Sequence, residues 1–154
     1  MQTKITNAFK QAMLNKDEDS KRVISTLRAE IKNKEIELRT SNKEMNDDVI
    51  LSLVQKLIKQ NKDAIEMFKS GGREDLVEKN EKEISILTQF LPKQLTSNEI
   101  DDILKQEIEA NSITSVKDMG KLMGVLKSKY SGQMDFGYVS KKVKELLWLQ
   151  QFIV

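Results

Sequence analysis

Apolar residues recur every three or four positions along nearly the whole chain, interrupted by short polar breaks. That period marks amphipathic helices, because one helical turn takes about 3.6 residues. Ile5, Ala8, Phe9, Ala12 and Met13 predict a first short helix ending near Asn15. A long second helix, opened by Asp17 or Asp19 and running through Thr40, carries Val23, Ile24, Leu27, Ile31 and Leu38, with Ile36 off the line. After a polar break at 41–45, Asn46 followed by Asp47 and Asp48 predicts an N-cap and an acidic first turn, where the helix dipole favours negative charge. The third helix runs to Ser70 on Ile50, Leu53, Val54, Leu57, Ile58, Ile65 and Phe68. Gly71-Gly72 ends it, since glycine tolerates the left-handed conformation past a helix end. A fourth helix follows Arg73 on Leu76, Val77, Ile84, Leu87 and Leu91, with Phe90 alongside, and Pro92 stops it.

Past Pro92 the periodic stretches shorten. Thr96 and Glu99 form a capping box before a helix on Ile100, Ile103, Leu104 and Ile108 that ends around Asn111. Ser115 with Asp118 is a weaker box opening the next helix, which stops near Gly132. Met119, Leu122, Met123, Leu126 and Tyr130 fall on one side of that helix, opposite Lys117, Lys121, Lys127, Ser128, Gly120 and Gly124. Asp135 caps a last helix on Tyr138, Val139, Val143, Leu146 and Leu147, followed by an unusually apolar tail at 148–154. The expected fold is therefore all-α. An N-terminal helical hairpin module of about four helices occupies residues 1–92, and a small three-helix module occupies residues 93–154. None of these helices can bury its apolar stripe alone, so each group packs together.

Composition narrows the chemistry. The 154 residues contain no cysteine and no histidine, which removes thiolate chemistry, the commonest general base and the commonest metal ligands. Charged residues make up 32% of the chain yet leave a net charge of only +2, so any case for an anionic partner rests on where the charge lies. It is unevenly placed. Glu99 to Glu109 holds five acids and one lysine, whereas Lys117 to Lys144 holds seven lysines and two acids. No run of apolar residues reaches membrane-spanning length, so no membrane role is expected. The first sixteen residues carry Lys4, Lys10 and Lys16 with no acid, but lack arginine and an apolar signal core; they read as a first helix rather than a targeting segment. The expected compartment is cytoplasmic, or an organelle of bacterial ancestry.

Several stretches, taken together and in order, resemble the YqeY family, the GatB/YqeY-domain proteins. They are Leu27-Arg28-Ala29-Glu30-Ile31-Lys32-Asn33, Glu35-Ile36-Glu37-Leu38, Gly72-Arg73-Glu74-Asp75-Leu76-Val77, Phe90-Leu91-Pro92-Lys93-Gln94-Leu95 and Lys117-Asp118-Met119-Gly120-Lys121-Leu122-Met123-Gly124. The resemblance runs from about Phe9 to Leu147. It implies an all-helical fold whose C-terminal module is similar to the tail domain of the B subunit of the tRNA-dependent amidotransferase. That enzyme converts glutamyl- or aspartyl-tRNA to the amide forms, and its tail domain contacts the tRNA. The resemblance thus implies a stand-alone protein with a tRNA-contacting kind of module and no catalytic core. Two departures stand out. Where relatives often have Gly-Lys-Ala-Asp-Gly, this chain has Gly132-Gln133-Met134-Asp135-Phe136-Gly137, losing a lysine at the turn, and residues 148–154 extend past the usual end.

The residues expected to meet RNA are Lys117, Gly120, Lys121, Gly124, Lys127, Lys129, Lys141, Lys142 and Lys144. Lysines neutralise phosphates, and bare glycine backbone lets a bulky anion approach. Two plainer readings compete: Gly120 and Gly124 let a neighbouring helix pack closely, and the lysines form an ordinary solvated face. Arg22, Arg28, Lys32 and Arg39 either extend a cationic surface or pair with Glu30, Glu35 and Glu37. Glu78, Glu81 and Glu83 beside Lys79 and Lys82 read as a solvated face. Nothing positions a nucleophile beside an activating base, so no catalytic residue, metal or cofactor is predicted. A helical adaptor binding a protein partner or a second copy through the hairpin and the apolar tail is the rival reading. A third is an amide-transferring subunit that borrows its catalytic groups.

Overall fold

Two capping side chains set where the longest helices begin. Asp17 accepts from the Ser20 amide at 3.1 Å and the Ser20 hydroxyl at 2.7 Å, and Asn46 Oδ1 accepts from the Val49 amide at 3.0 Å. The computed structural model describes the backbone of residues 1–153 and the side chains of residues 1–149. Its helices are α1 Gln2–Leu14, α2 Glu18–Thr40, α3 Asp47–Ser70, α4 Glu74–Thr88, α5 Ser97–Ala110, α6 Met119–Lys129 and α7 Phe136–Ile153, with a 3₁₀ turn at Val116–Asp118. No strand occurs among the described residues. Asn46→Ala is expected to cost about 0.5–2 kcal/mol, read as a lower urea midpoint at unchanged slope.

Four helices end in one motif, in which the backbone turns left-handed and two amides return to the last carbonyls. At the end of α3 the left-handed residue is Gly72, at φ +70°; its amide donates to Lys69 O and that of Arg73 to Phe68 O. Lys16, Asn42 and Ser112 take the same place after α1, α2 and α5, with φ between 53° and 56°. After Ser112, Ile113 donates back to Ile108 O and is buried, so the turn is fixed by an apolar contact as well.

The chain divides into two compact units, Met1–Pro92 and Lys93–Val154. In the first, Ile5 of α1, Val23, Ile24, Leu27 and Ile31 of α2, Ile50, Leu53, Val54, Leu57 and Ile58 of α3, and Leu87 form one core with Phe90. The second buries Ile100, Leu104 and Ile108 of α5, Leu122 and Leu126 of α6, and Val139, Val143 and Leu147 of α7, together with Ile113 and Met134.

Two local expectations are corrected. The fourth helix does not continue to Pro92: α4 ends at Thr88, and tight turns bond the Phe90 amide to Leu87 O and the Leu91 amide to Thr88 O. The turn leaves Phe90 only 1% exposed, so burial of this ring, not the proline, sets the stop. Ser115 makes no side-chain cap. Asp118 instead accepts from the Thr114 amide at 3.3 Å, which tightens the approach into a 3₁₀ turn and delays α6 to Met119.

Candidate nucleic-acid interface

Leu122 and Leu126 are wholly buried, and they fix which side of α6 faces its core. At about 100° per residue, Gly120, Lys121, Gly124, Lys127 and Ser128 then share an outward arc of about 120°. All five are exposed. A Cβ added at Gly120 or Gly124 would meet nothing within 4 Å. Packing within the chain therefore does not explain either glycine, although mid-helix glycine costs roughly 0.8–1 kcal/mol relative to alanine. Lys117 lies in the 3₁₀ turn just before, also exposed. Among the described residues, Lys117, Lys121 and Lys127 make no ion pair; the Lys121 ammonium has only a long contact, 3.5 Å, to Asn111 O.

Lys129 lies apart from this arc. Its ammonium is 2.9 Å from Glu107 Oε1, and Asn111 Nδ2 donates to Glu107 Oε2 at 3.0 Å. Glu107 is only 7% exposed, so Lys129 neutralises a carboxylate set into the core side of α5. The Lys129 hydrogen bond holds the Glu107 carboxyl below the usual range against the opposing effect of burial, with Asn111 assisting. The same bond raises Lys129. Because the folded pKa of Glu107 is depressed, its stabilisation is complete above the ordinary glutamate pKa of 4.5 and is lost as pH falls through the folded value. In thermal melts followed by circular dichroism, acid should therefore destabilise the wild type more steeply than Glu107→Gln, and the gap between them should narrow below pH 4.5.

The three lysines of α7 do not share a face. Val139, Val143 and Leu147 are wholly buried. Lys141 then points directly outward, while Lys142 and Lys144 sit on opposite flanks, about 160° apart at 100° per residue. Lys142 is half-buried and the other two are exposed. Asp135 positions the start of this helix, its Oδ1 accepting from the Gly137 amide at 2.9 Å.

In the first unit, cations and acids pair differently from expectation. Arg39 does reach Glu35 at 3.6 Å, but Arg22 holds Asp19 and Glu83, each at 3.1 Å, and Lys82 joins Asp19 at 2.7 Å. These contacts tie α2 to α4, a long-range link that i, i+4 spacing cannot reveal. Glu30 takes Lys56 at 3.9 Å and Glu37 takes Lys34 at 3.1 Å. Arg28 lies over the Phe9 ring, 4.6 Å from its centroid. Exposed pairs of this kind add little stability each, so they orient helices more than they hold them.

A two-unit, all-helical protein with a cationic, glycine-bearing outer helix face is the class these observations define. The chain belongs to the YqeY family: residues 2–147 match the family described as Yqey-like protein. It is also similar to curated proteins named "Altered inheritance of mitochondria protein 41, mitochondrial". That of Pyrenophora tritici-repentis is 33% identical over 142 residues, 90% of this chain and 76% of the relative. The Lachancea thermotolerans protein is 35% identical over 73% of this chain and 63% of its own length. The Saccharomyces cerevisiae protein is 37% identical over 60% and 49%. The chain thus spans between half and three quarters of these relatives. Among its described residues no helix is long and apolar enough to cross a membrane.

Proposed function

We propose that this YqeY-family protein is a non-catalytic accessory that contacts tRNA or another structured RNA through its C-terminal unit. The single observation that carries the reading is the outer face of α6, where two glycines with open space above them stand among lysines without carboxylate partners. A helix that gives up two side chains on its exposed arc leaves backbone bare for a bulky neighbour. Lysines around that backbone favour an anionic one. The resemblance of this unit to a tRNA-contacting tail domain supports the same partner and a relation to the tRNA-dependent amidotransferase, a carbon–nitrogen ligase using glutamine as amide donor. In this reading Lys117, Lys121 and Lys127 meet phosphates, with Gly120 and Gly124 giving close approach. Lys141, Lys142 and Lys144 supply further positive charge from separate directions, and Lys129 serves mainly to neutralise Glu107. The mitochondrial names of the relatives support work in an organelle of bacterial ancestry as an alternative to a bacterial cytoplasm.

The rival is a helical adaptor for a protein partner, favoured by Leu14 and Met67, which are 76% and 74% exposed in the first unit. Titrating bulk tRNA at several salt concentrations separates the two. RNA contact through phosphates gives affinity that falls linearly with salt on logarithmic axes. An adaptor shows no salt-dependent tRNA binding and captures one protein reproducibly.

A further inference from the structure

Trp148 is 58% exposed, an unusual position for the one tryptophan of the chain. The buried line Val139, Val143 and Leu147 sets the outward direction of α7, and Trp148 lies almost opposite it. Lys144 precedes Trp148 by one turn and Lys141 by two, so all three share an outward arc of about 60°. Tyr138, 42% exposed, continues the strip at its other end, about 15 Å away along the axis at 1.5 Å per residue. A helix face built to dock on a protein groove repeats apolar residues at i, i+3, i+4 and i+7. Here charged residues, Lys141, Lys144 and Glu145, stand between the two aromatic rings, and only Leu149, 56% exposed, borders the strip. Aromatic planes separated by lysines match a chain of stacking bases joined by phosphates, because every base offers a π-face and every linkage a negative charge.

We propose that the strip Tyr138–Lys141–Lys144–Trp148 takes unpaired RNA nucleotides, a base stacking on Trp148 while Lys141 and Lys144 meet the flanking phosphates. This rests on the RNA reading above and narrows it to RNA with unpaired bases accessible at a loop, bulge or end. A duplex keeps its bases stacked inside and cannot use the indole.

The test uses the full chain with three fluorescein-labelled probes: a twelve-nucleotide oligoadenylate, a twelve-base-pair RNA duplex and bulk tRNA. Affinity is read by anisotropy and stacking by the emission of Trp148 with unlabelled copies of the same RNAs. The single strand and tRNA should quench Trp148, and the duplex should not. Trp148→Ala should weaken oligoadenylate binding about ten-fold with an unchanged salt slope, and Trp148→Phe should recover most of the loss. Both variants should keep the wild-type circular dichroism, since the side chain is exposed. Binding of tRNA with no change in Trp148 emission and no effect of Trp148→Ala overturns the stacking proposal and leaves the RNA reading standing. No binding of any probe overturns both. Emission that shifts to the blue with protein concentration alone assigns the strip to self-association and also overturns the proposal.

Discussion

Reversing Lys117 and Lys121 to glutamate is expected to weaken tRNA binding by about ten- to a hundred-fold near 0.1 M salt and to lower the salt slope by about two. The reasoning is electrostatic. Each lysine that meets a phosphate releases a condensed counterion, so removing two contacts removes two units of slope in addition to introducing repulsion. Both side chains are exposed and neither forms an ion pair among the described residues, so the fold loses nothing with them. Lys59 and Lys62, exposed on α3 in the other unit, provide the control: reversing them should leave affinity within about two-fold, less than the loss of one phosphate contact. Equal losses from both pairs would mean that only overall charge matters, and the assignment to α6 would be wrong.

The double substitution Gly120→Ala/Gly124→Ala should move stability and binding in opposite directions. Each new methyl group meets open space, and alanine is the better helix former, so the C-terminal unit should gain about 1 kcal/mol, most of it from mid-helix Gly124. The same methyl groups would stand between the backbone and an approaching phosphate, lowering tRNA affinity several-fold. A protein that melts later and binds less well cannot be explained by damage to the fold. Unchanged affinity would show that the glycines serve no close approach. A loss of stability would show that they are needed for packing after all.

Most of the fold was legible because its signals are local. Apolar spacing located every α-helix, and Asp17, Asn46 and Asp135 announced their caps through side chains that suit exposed backbone amides. What escaped notice depended on contacts distant in sequence or on untypical residues. Pro92 drew attention as the stop of α4, but Phe90 turns into the core earlier, and ring burial outweighs two more turns of helix bonding. Lys16 and Ser112 take left-handed positions that glycine usually announces, so neither turn stood out. The Arg22–Glu83 and Lys82–Asp19 pairs cross between helices more than sixty residues apart, outside any local window.

The candidate site was legible in part. The α6 face could be read from period and composition, but openness above Gly120 and Gly124 is a matter of what packs nearby, which spacing alone left undecided. Lys129 was grouped with the RNA-facing lysines by proximity in sequence. A clue to its other partner was present, since Glu107 interrupts the apolar stripe of Ile100, Leu104 and Ile108 at a core-facing position. A carboxylate there calls for a cation, and Lys129 is the one that reaches it. The outward direction of Trp148 depended on the register of α7; the side chains of 150–154, the rest of the apolar tail, lie outside the described residues.

The central claim places an anion directly against the backbone of α6, and the amide resonances of the six glycines can report on it. In a ¹H–¹⁵N spectrum, adding tRNA should shift or broaden Gly120 and Gly124, while Gly71 and Gly72 in the other unit keep their positions. Undisturbed Gly120 and Gly124 amides at a tRNA concentration that saturates binding would contradict the account.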